Sequence, residues 1–175
     1  MIDEINETPG AWPDRATICH PAPNGKGSAL RLELHPARGR VPGYVYLEIA
    51  RQRTAESAEG EVRTFATFDW PGKIAVKLGL DEIAEMIMIF RGMRESIQDG
   101  RGVFIRTARE SCVFKFSHVI EPRPGYLLQL ERKPHDGEPE SAYFVFRIAE
   151  AVWLSCALEA SMSLLVFGVP RAAEA

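Results

Sequence analysis

From Ala29 the chain alternates. Leu30, Leu32 and Leu34 fall on one side and Arg31, Glu33 and His35 on the other, the period-two pattern of a strand with one buried face. A Pro/Gly-rich connection, Pro36 to Gly43, leads into a second run with Val45, Leu47 and Ile49 inward and Tyr44, Tyr46 and Glu48 outward. The polar stretch Thr54 to Gly60 reads as a loop. A third strand is expected over Arg63 to Trp70 and a fourth over Lys73 to Leu78, with Pro71-Gly72 as the turn between them. At Leu80 the period lengthens: Leu80, Ile83, Ala84, Ile87, Phe90 and Arg91 recur at helical spacing, with Asp81 as the expected N-terminal cap.

Asp99-Gly100-Arg101-Gly102 resets the pattern. Four strands follow at about Val103 to Ala108, Cys112 to Val119, Tyr126 to Arg132 and Ala142 to Ile148, and a helix is expected over Glu150 to Val166. In the third of these, Arg132 shares the parity of Tyr126, Leu128 and Leu130, which a bulge or the strand's end would resolve. The expected fold class is α+β: two repeated units of four antiparallel strands plus one helix. The boundaries are an N-terminal extension 1–23, one domain 24–170 (repeat one 28–98, repeat two 99–168) and a tail 171–175. Both helices are apolar on more than one side, as in Met86 to Phe90 and Leu164 to Phe167. That surplus is buried either between the sheets or in a subunit interface.

Composition narrows the picture. The chain has 175 residues, 46% of them hydrophobic, enough for one sizeable core. Three isolated cysteines, Cys19, Cys112 and Cys156, provide neither a disulfide framework nor a zinc site. A reducing, cytoplasmic location is expected, because the acidic N-terminal stretch is the opposite of a signal peptide. Ala151 to Val169 approaches membrane-spanning length but is interrupted by Glu159 and serines, so no membrane partner is expected. The net charge of −3 conceals segregation: −3 over residues 1–23, +4 over 24–54, −4 over 55–100, +4 over 101–133 and −4 over 134–175.

A twice-repeated unit of four strands and one helix resembles the Whirly fold of the plant single-stranded-DNA-binding proteins and of the kinetoplast guide-RNA-binding proteins. The single-stranded-DNA-binding transcriptional coactivators resemble half of it. Gly25-Lys26-Gly27-Ser28-Ala29-Leu30 is similar to the Lys-Gly-Lys-Ala-Ala-Leu segment of Whirly proteins. Lys26 and Leu30 carry over; the leading lysine is replaced by Gly25 and one residue of spacing is added. The topology covers residues 28–168. The resemblance implies a homo-oligomer, a tetramer or dimer with the helices at its centre, that binds single-stranded DNA or RNA along its strands.

The residues themselves carry the two requirements of sequence-tolerant strand binding, cations for phosphates and flat rings for bases. In the first unit these are Lys26, Arg31, His35, Arg38, Arg40, Tyr44, Tyr46, Trp70 at an exposed turn, Lys73 and Lys77; in the second they are Arg106 and Lys115. Arg132 and Arg147 are further outward cations, and Arg51, Arg53 and Arg109 read as loop residues. Outward tyrosines equally serve cross-strand packing. No phosphate loop, nucleophile elbow, cofactor site or metal-ligand spacing is present, so neither catalysis nor a cofactor is expected. The alternative reading is a protein-interaction or assembly module that binds no nucleic acid.

Overall fold

Residues that alternate in the sequence pair face to face in space. The computed structural model describes residues 15–59, 62–108, 110–122 and 124–170. Along them the chain runs β1 (Arg15–His20), β2 (Ser28–His35), β3 (Tyr44–Thr54), β4 (Ser57–Glu59), β5 (Val62–Thr64), β6 (Thr67–Phe68), β7 (Ile74–Leu78), α1 (Leu80–Phe90) and a 3₁₀ turn (Ile97–Gly100). It continues as β8 (Val103–Arg106), β9 (Glu110–Val119), β10 (Gly125–Pro134), β11 (Glu140–Phe146) and α2 (Ile148–Phe167). Sheet one has the order β1-β2-β3, with β7 and the short β6 both on the far side of β3. Leu30 pairs with Ile49, Leu32 with Leu47 and Leu34 with Val45, and β7 sets Ile74, Val76 and Leu78 beside the same β3 residues.

Sheet two has the order β11-β10-β9-β8. Its inward residues Phe114, Phe116, Leu128, Leu130, Phe144 and Phe146 are each at most 1% exposed. Completely burying such a side chain stabilises by about 1.5–3 kcal/mol. The two inward faces, Ile83, Met86 and Ile89 of α1, and Ala151, Leu154 and Leu158 of α2 form one cluster. The α+β architecture of two sheets and two helices is the expected one.

Several elements differ from expectation. The sheet begins before residue 24, because Arg15–His20 is a strand paired with β2, with Ile18 opposite Leu30. A single large aliphatic residue in six leaves little alternation to read there. His20 extends the contact across the core: it stacks on Phe144 at 4.5 Å, and its Nε2 lies 2.7 Å from Glu150 Oε1. The strand expected over Arg63 to Trp70 is broken into pieces. Ser57–Glu59, within the stretch expected as a loop, is the short strand β4; among the described residues it pairs only with β5, and β6 meets Gln52 and Thr54 across a register shift. Phe65 and Phe68 are an odd number of residues apart, so no regular strand can put both on one face.

Both helices begin alike. Asp81 lies inside α1, and the N-cap is Gly79, whose N–H donates to Glu82 Oε2 at 2.8 Å. α2 starts at Ile148, with Arg147 at the cap donating its N–H to Glu150 Oε2 at 2.9 Å. The same back-reaching glutamate thus closes each repeat. At its other end α2 is clamped by the β2–β3 connection, where Ala37 N–H donates to Leu164 O and Gly43 N–H to Leu165 O. Only glycine fits at position 43, because a Cβ there would lie 2.6 Å from Leu165 Cα. By length and composition α2 could cross a membrane. It docks through Ala151, Leu154, Leu158 and Leu165, leaving Val152, Trp153 and Phe167 exposed.

Glu150 therefore serves both the α2 cap and the link to β1. Burial pushes its carboxyl pKa up, but the hydrogen bonds from His20 and the Arg147 N–H outweigh this, and the net shift is downward. A carboxylate with a depressed folded-state pKa contributes stability above its unfolded value, about 4.3, and loses it as pH falls through the folded value. In urea denaturation from pH 7 to pH 3, Glu150→Gln is expected to lower stability at pH 7 and to flatten the acid limb; an unchanged acid limb would contradict this role.

Candidate functional site

With one face of each strand committed to the core, the opposite parity forms an outer face. On sheet one, His35 lies beside Tyr44, Glu33 beside Tyr46 and Arg31 beside Glu48, while β7 adds Lys77 next to Tyr46. His35 stacks on Tyr44 with centroids 4.5 Å apart, and Tyr46 meets the two rings edge-on at 5.4 and 5.2 Å. Lys77 Nζ sits 3.9 Å above the Tyr44 ring. Further along, the Arg31 guanidinium lies 3.9 Å over Trp70, and Lys73 Nζ is 2.6 Å from Glu48 Oε1. Seven expected residues, Arg31, His35, Tyr44, Tyr46, Trp70, Lys73 and Lys77, are brought to this one face.

The face is not purely basic. Glu33 pairs with Arg15 at 2.7 Å and with His35 at 3.0 Å, and Glu48 also lies 3.6 Å from Arg31. Arg15, Arg31 and Lys73 thus surround two carboxylates, and Lys77 lies over Tyr44. Trp70, expected at an exposed turn, is half-buried and serves as the platform for Arg31. Tyr46 is the more open of the two tyrosines, at 38% exposure. Arg15 escaped the sequence reading with its strand; the parity of Glu33 and Glu48 had already placed them outward.

The remaining expected residues lie elsewhere. Lys26 is exposed in the β1–β2 loop and Arg38 and Arg40 are exposed in the β2–β3 loop. Arg106 and Lys115 belong to the outer face of sheet two, where Lys115 Nζ is 2.7 Å from Glu131 Oε1. The expected residues therefore divide between two faces. Arg51 and Arg53 lie on β3, not in a loop, and Arg51 Nη2 donates to Ser141 O at 2.6 Å, joining the sheets. Arg132 keeps its inward parity without a bulge, because its guanidinium pairs with Glu140 at 2.9 Å and donates to Lys73 O at 3.3 Å. Arg147 is the α2 cap, and Arg109 lies outside the described residues.

Gln52 was not singled out by the pattern. From β3 it organises the loop that carries Lys26: Oε1 accepts from the Ala22 and Gly27 N–H groups at 2.8 and 2.9 Å, and Nε2 donates to Ala22 O and Thr54 O. Among the described residues no group of three or more His, Cys, Asp or Glu is placed to hold a metal. Burial pushes the Cys112 thiol up to about 11, and Cys19 is raised by the same cause. Neither is an activated nucleophile.

No protein-family model matches the chain, and no curated protein sequence matches it. Solved structures do. WHY1 from Arabidopsis thaliana is similar at 22% identity with a TM-score of 0.63, covering 89% of each chain. The plant transcriptional regulator PBF-2 is similar at 20% identity and TM-score 0.62, over 86% of this chain and 82% of that one. A guide-RNA-binding protein complex bound to a guide RNA follows at 18% identity and TM-score 0.59, over 86% and 90%. At these identities the likeness is one of fold: the chain has the Whirly fold.

Replacing Gln52 leaves two backbone donors of the Lys26 loop without their acceptor. Gln52→Ala is expected to cost about 2 kcal/mol in urea denaturation and to increase amide exchange at Ala22 and Gly27. Unchanged exchange at both amides would contradict the role assigned to Gln52.

Proposed function

We propose that the protein is an oligomeric, sequence-tolerant binder of single-stranded DNA or RNA, with a role in transcription or nucleic-acid maintenance. The observation that carries this reading is the outer face of sheet one. His35, Tyr44 and Tyr46 offer rings for stacking, worth about 1–3 kcal/mol per base, and Arg31, Lys73 and Lys77 flank them. A net charge of −3 does not oppose it, because a polyanion responds to the local field. That the fold also occurs in a plant transcriptional regulator and in a guide-RNA complex supports it. We assign no catalytic step and no cofactor.

A homo-oligomer, tetramer or dimer, accounts for α2. Val152 is 60% exposed and Phe167 85%, an apolar face suited to a second copy. A bilayer suits it less well, because Glu159 lies on the helix, held by Arg91 through two hydrogen bonds of 3.0 Å. The three free cysteines support a reducing, cytoplasmic setting. The second reading, an assembly module without nucleic-acid binding, is favoured by Glu33 and Glu48, which occupy Arg15, Arg31 and Lys73.

Fluorescence anisotropy with labelled oligonucleotides separates the two. Binding is expected at about 50 mM salt and to weaken steeply as salt rises; no binding of either DNA or RNA would reject the first reading. Arg31→Glu and Lys77→Glu should each reduce affinity and the salt slope, whereas Tyr46→Ala should cost about 1–3 kcal/mol with little change in slope. Light scattering tests the helix face separately. Val152→Glu is expected to dissociate the oligomer, and a wild-type chain that is monomeric at micromolar concentration would refute the assembly.

A further inference from the structure

The outer face of sheet two holds a feature that the sequence-tolerant reading leaves unused. A cavity of about 450 Å³ opens across all four strands, lined by Phe104, Val113, Gln129, Glu131, Lys133 and Ser141 among others. The register explains its shape. Phe104, Val113, Glu131 and Ser141 form one row straight across β8, β9, β10 and β11. Val113 and Ser141 are short and form a floor, while Phe104 stands at the edge, 65% exposed. The row above contains Lys115, Gln129 and Tyr143, and the row below Arg106, Ser111 and Lys133.

The polar groups in this cavity are arranged asymmetrically. Glu131 Oε1 accepts from both Lys115 Nζ at 2.7 Å and Gln129 Nε2 at 2.9 Å. Those two bonds fix both side chains and leave Glu131 Oε2 and Gln129 Oε1 without a hydrogen bond from the described residues. The site thus presents two acceptors on adjacent rows, an exposed ring at the far end and Lys133 along one side, with Arg106 farther along the Lys133 row beyond the lining; Arg132, paired with Glu140, also lines it. Lys115 offsets the carboxylate's charge, so Glu131 does not simply repel a polyanion.

Building on the proposed single-strand binding, we infer that this cavity reads one guanine base of the bound strand. Guanine is the base whose Watson–Crick edge presents two neighbouring donors, N1–H and the N2 amino group, one for each of the two open acceptors. Adenine and cytosine present a donor beside an acceptor, and thymine and uracil a single donor between two acceptors; each leaves one acceptor facing another. Phe104 stacks the ring, Val113 lies beneath it, and Arg106 and Lys133 hold the adjoining phosphates. The face of sheet one binds any base through stacking, and this cavity adds preference at one position.

The test uses the full chain and labelled oligo-dT, compared with the same oligonucleotide carrying a single central guanine or a single inosine, which lacks the N2 amino group. The guanine probe is expected to bind wild type about tenfold more tightly than oligo-dT, with inosine between the two. Glu131→Gln should bring the guanine-to-thymine affinity ratio close to one, and Phe104→Ala should reduce it. Equal affinity of wild type for all three probes overturns the guanine site alone, as does a ratio that survives Glu131→Gln. Absence of binding to every probe overturns this inference together with the single-strand reading it rests on.

Discussion

One constraint organises the molecule: every strand of the two main sheets except the short β6 has its inward parity committed to a single shared core. Leu30, Leu47, Ile74, Phe114, Leu128 and Phe144 are at most 2% exposed and belong to one cluster. Slipping a strand by one residue would drive Arg31, Tyr46 or Lys77 into that cluster, at a cost of several kcal/mol for the charged groups. The core therefore determines the register, and the register determines which side chains share an outer face. The outer faces have no separate folding requirement; they are the other side of the core.

The same constraint explains why the protein's net charge says little about its partners. Cations and carboxylates on the outer face of sheet one are placed by parity, and neighbouring strands bring Arg31 beside Glu48 and Glu33 beside Tyr46. Glu48 is buried and Glu33 largely so, so taking away a cation from either leaves a carboxylate without its partner where little water reaches it. Arg31 both reaches Glu48 and lies over the Trp70 ring. Sheet two uses an analogous pair, Lys115 with Glu131, with a different result: the carboxylate keeps a free oxygen beside a fixed amide.

Much of the architecture could be read from short-range pattern. The β2 and β3 alternation, the β7 run, the helical spacing from Leu80 and the recurrence of the whole unit all carry local periodicity strong enough to name the fold. Elements that depend on distant partners were less visible. β1 has one large aliphatic residue and is held by Leu30 on the next strand and by Phe144 and Glu150, both far along the chain. Arg132 has the parity of a core residue, and only the carboxylates of Glu140 and Glu110 and the Lys73 carbonyl make that position tolerable. Trp70 follows a turn signal, but whether it opens to solvent or lies beneath a guanidinium depends on Arg31, two strands away.

By itself the sequence determined the parity of the strands, because side-chain direction in a pleated strand is set by position, and with it the residues available to each outer face. It also determined that both helices carry more apolar surface than one sheet can cover. Which available residues meet, and what each is already doing, was decided by tertiary structure alone. Seven expected residues gather on sheet one, while Arg106 and Lys115 are carried to sheet two. The physical reason is that alternation is a property of consecutive residues, whereas hydrogen bonds, ion pairs and cavities depend on cross-strand register and on which sheet a strand joins.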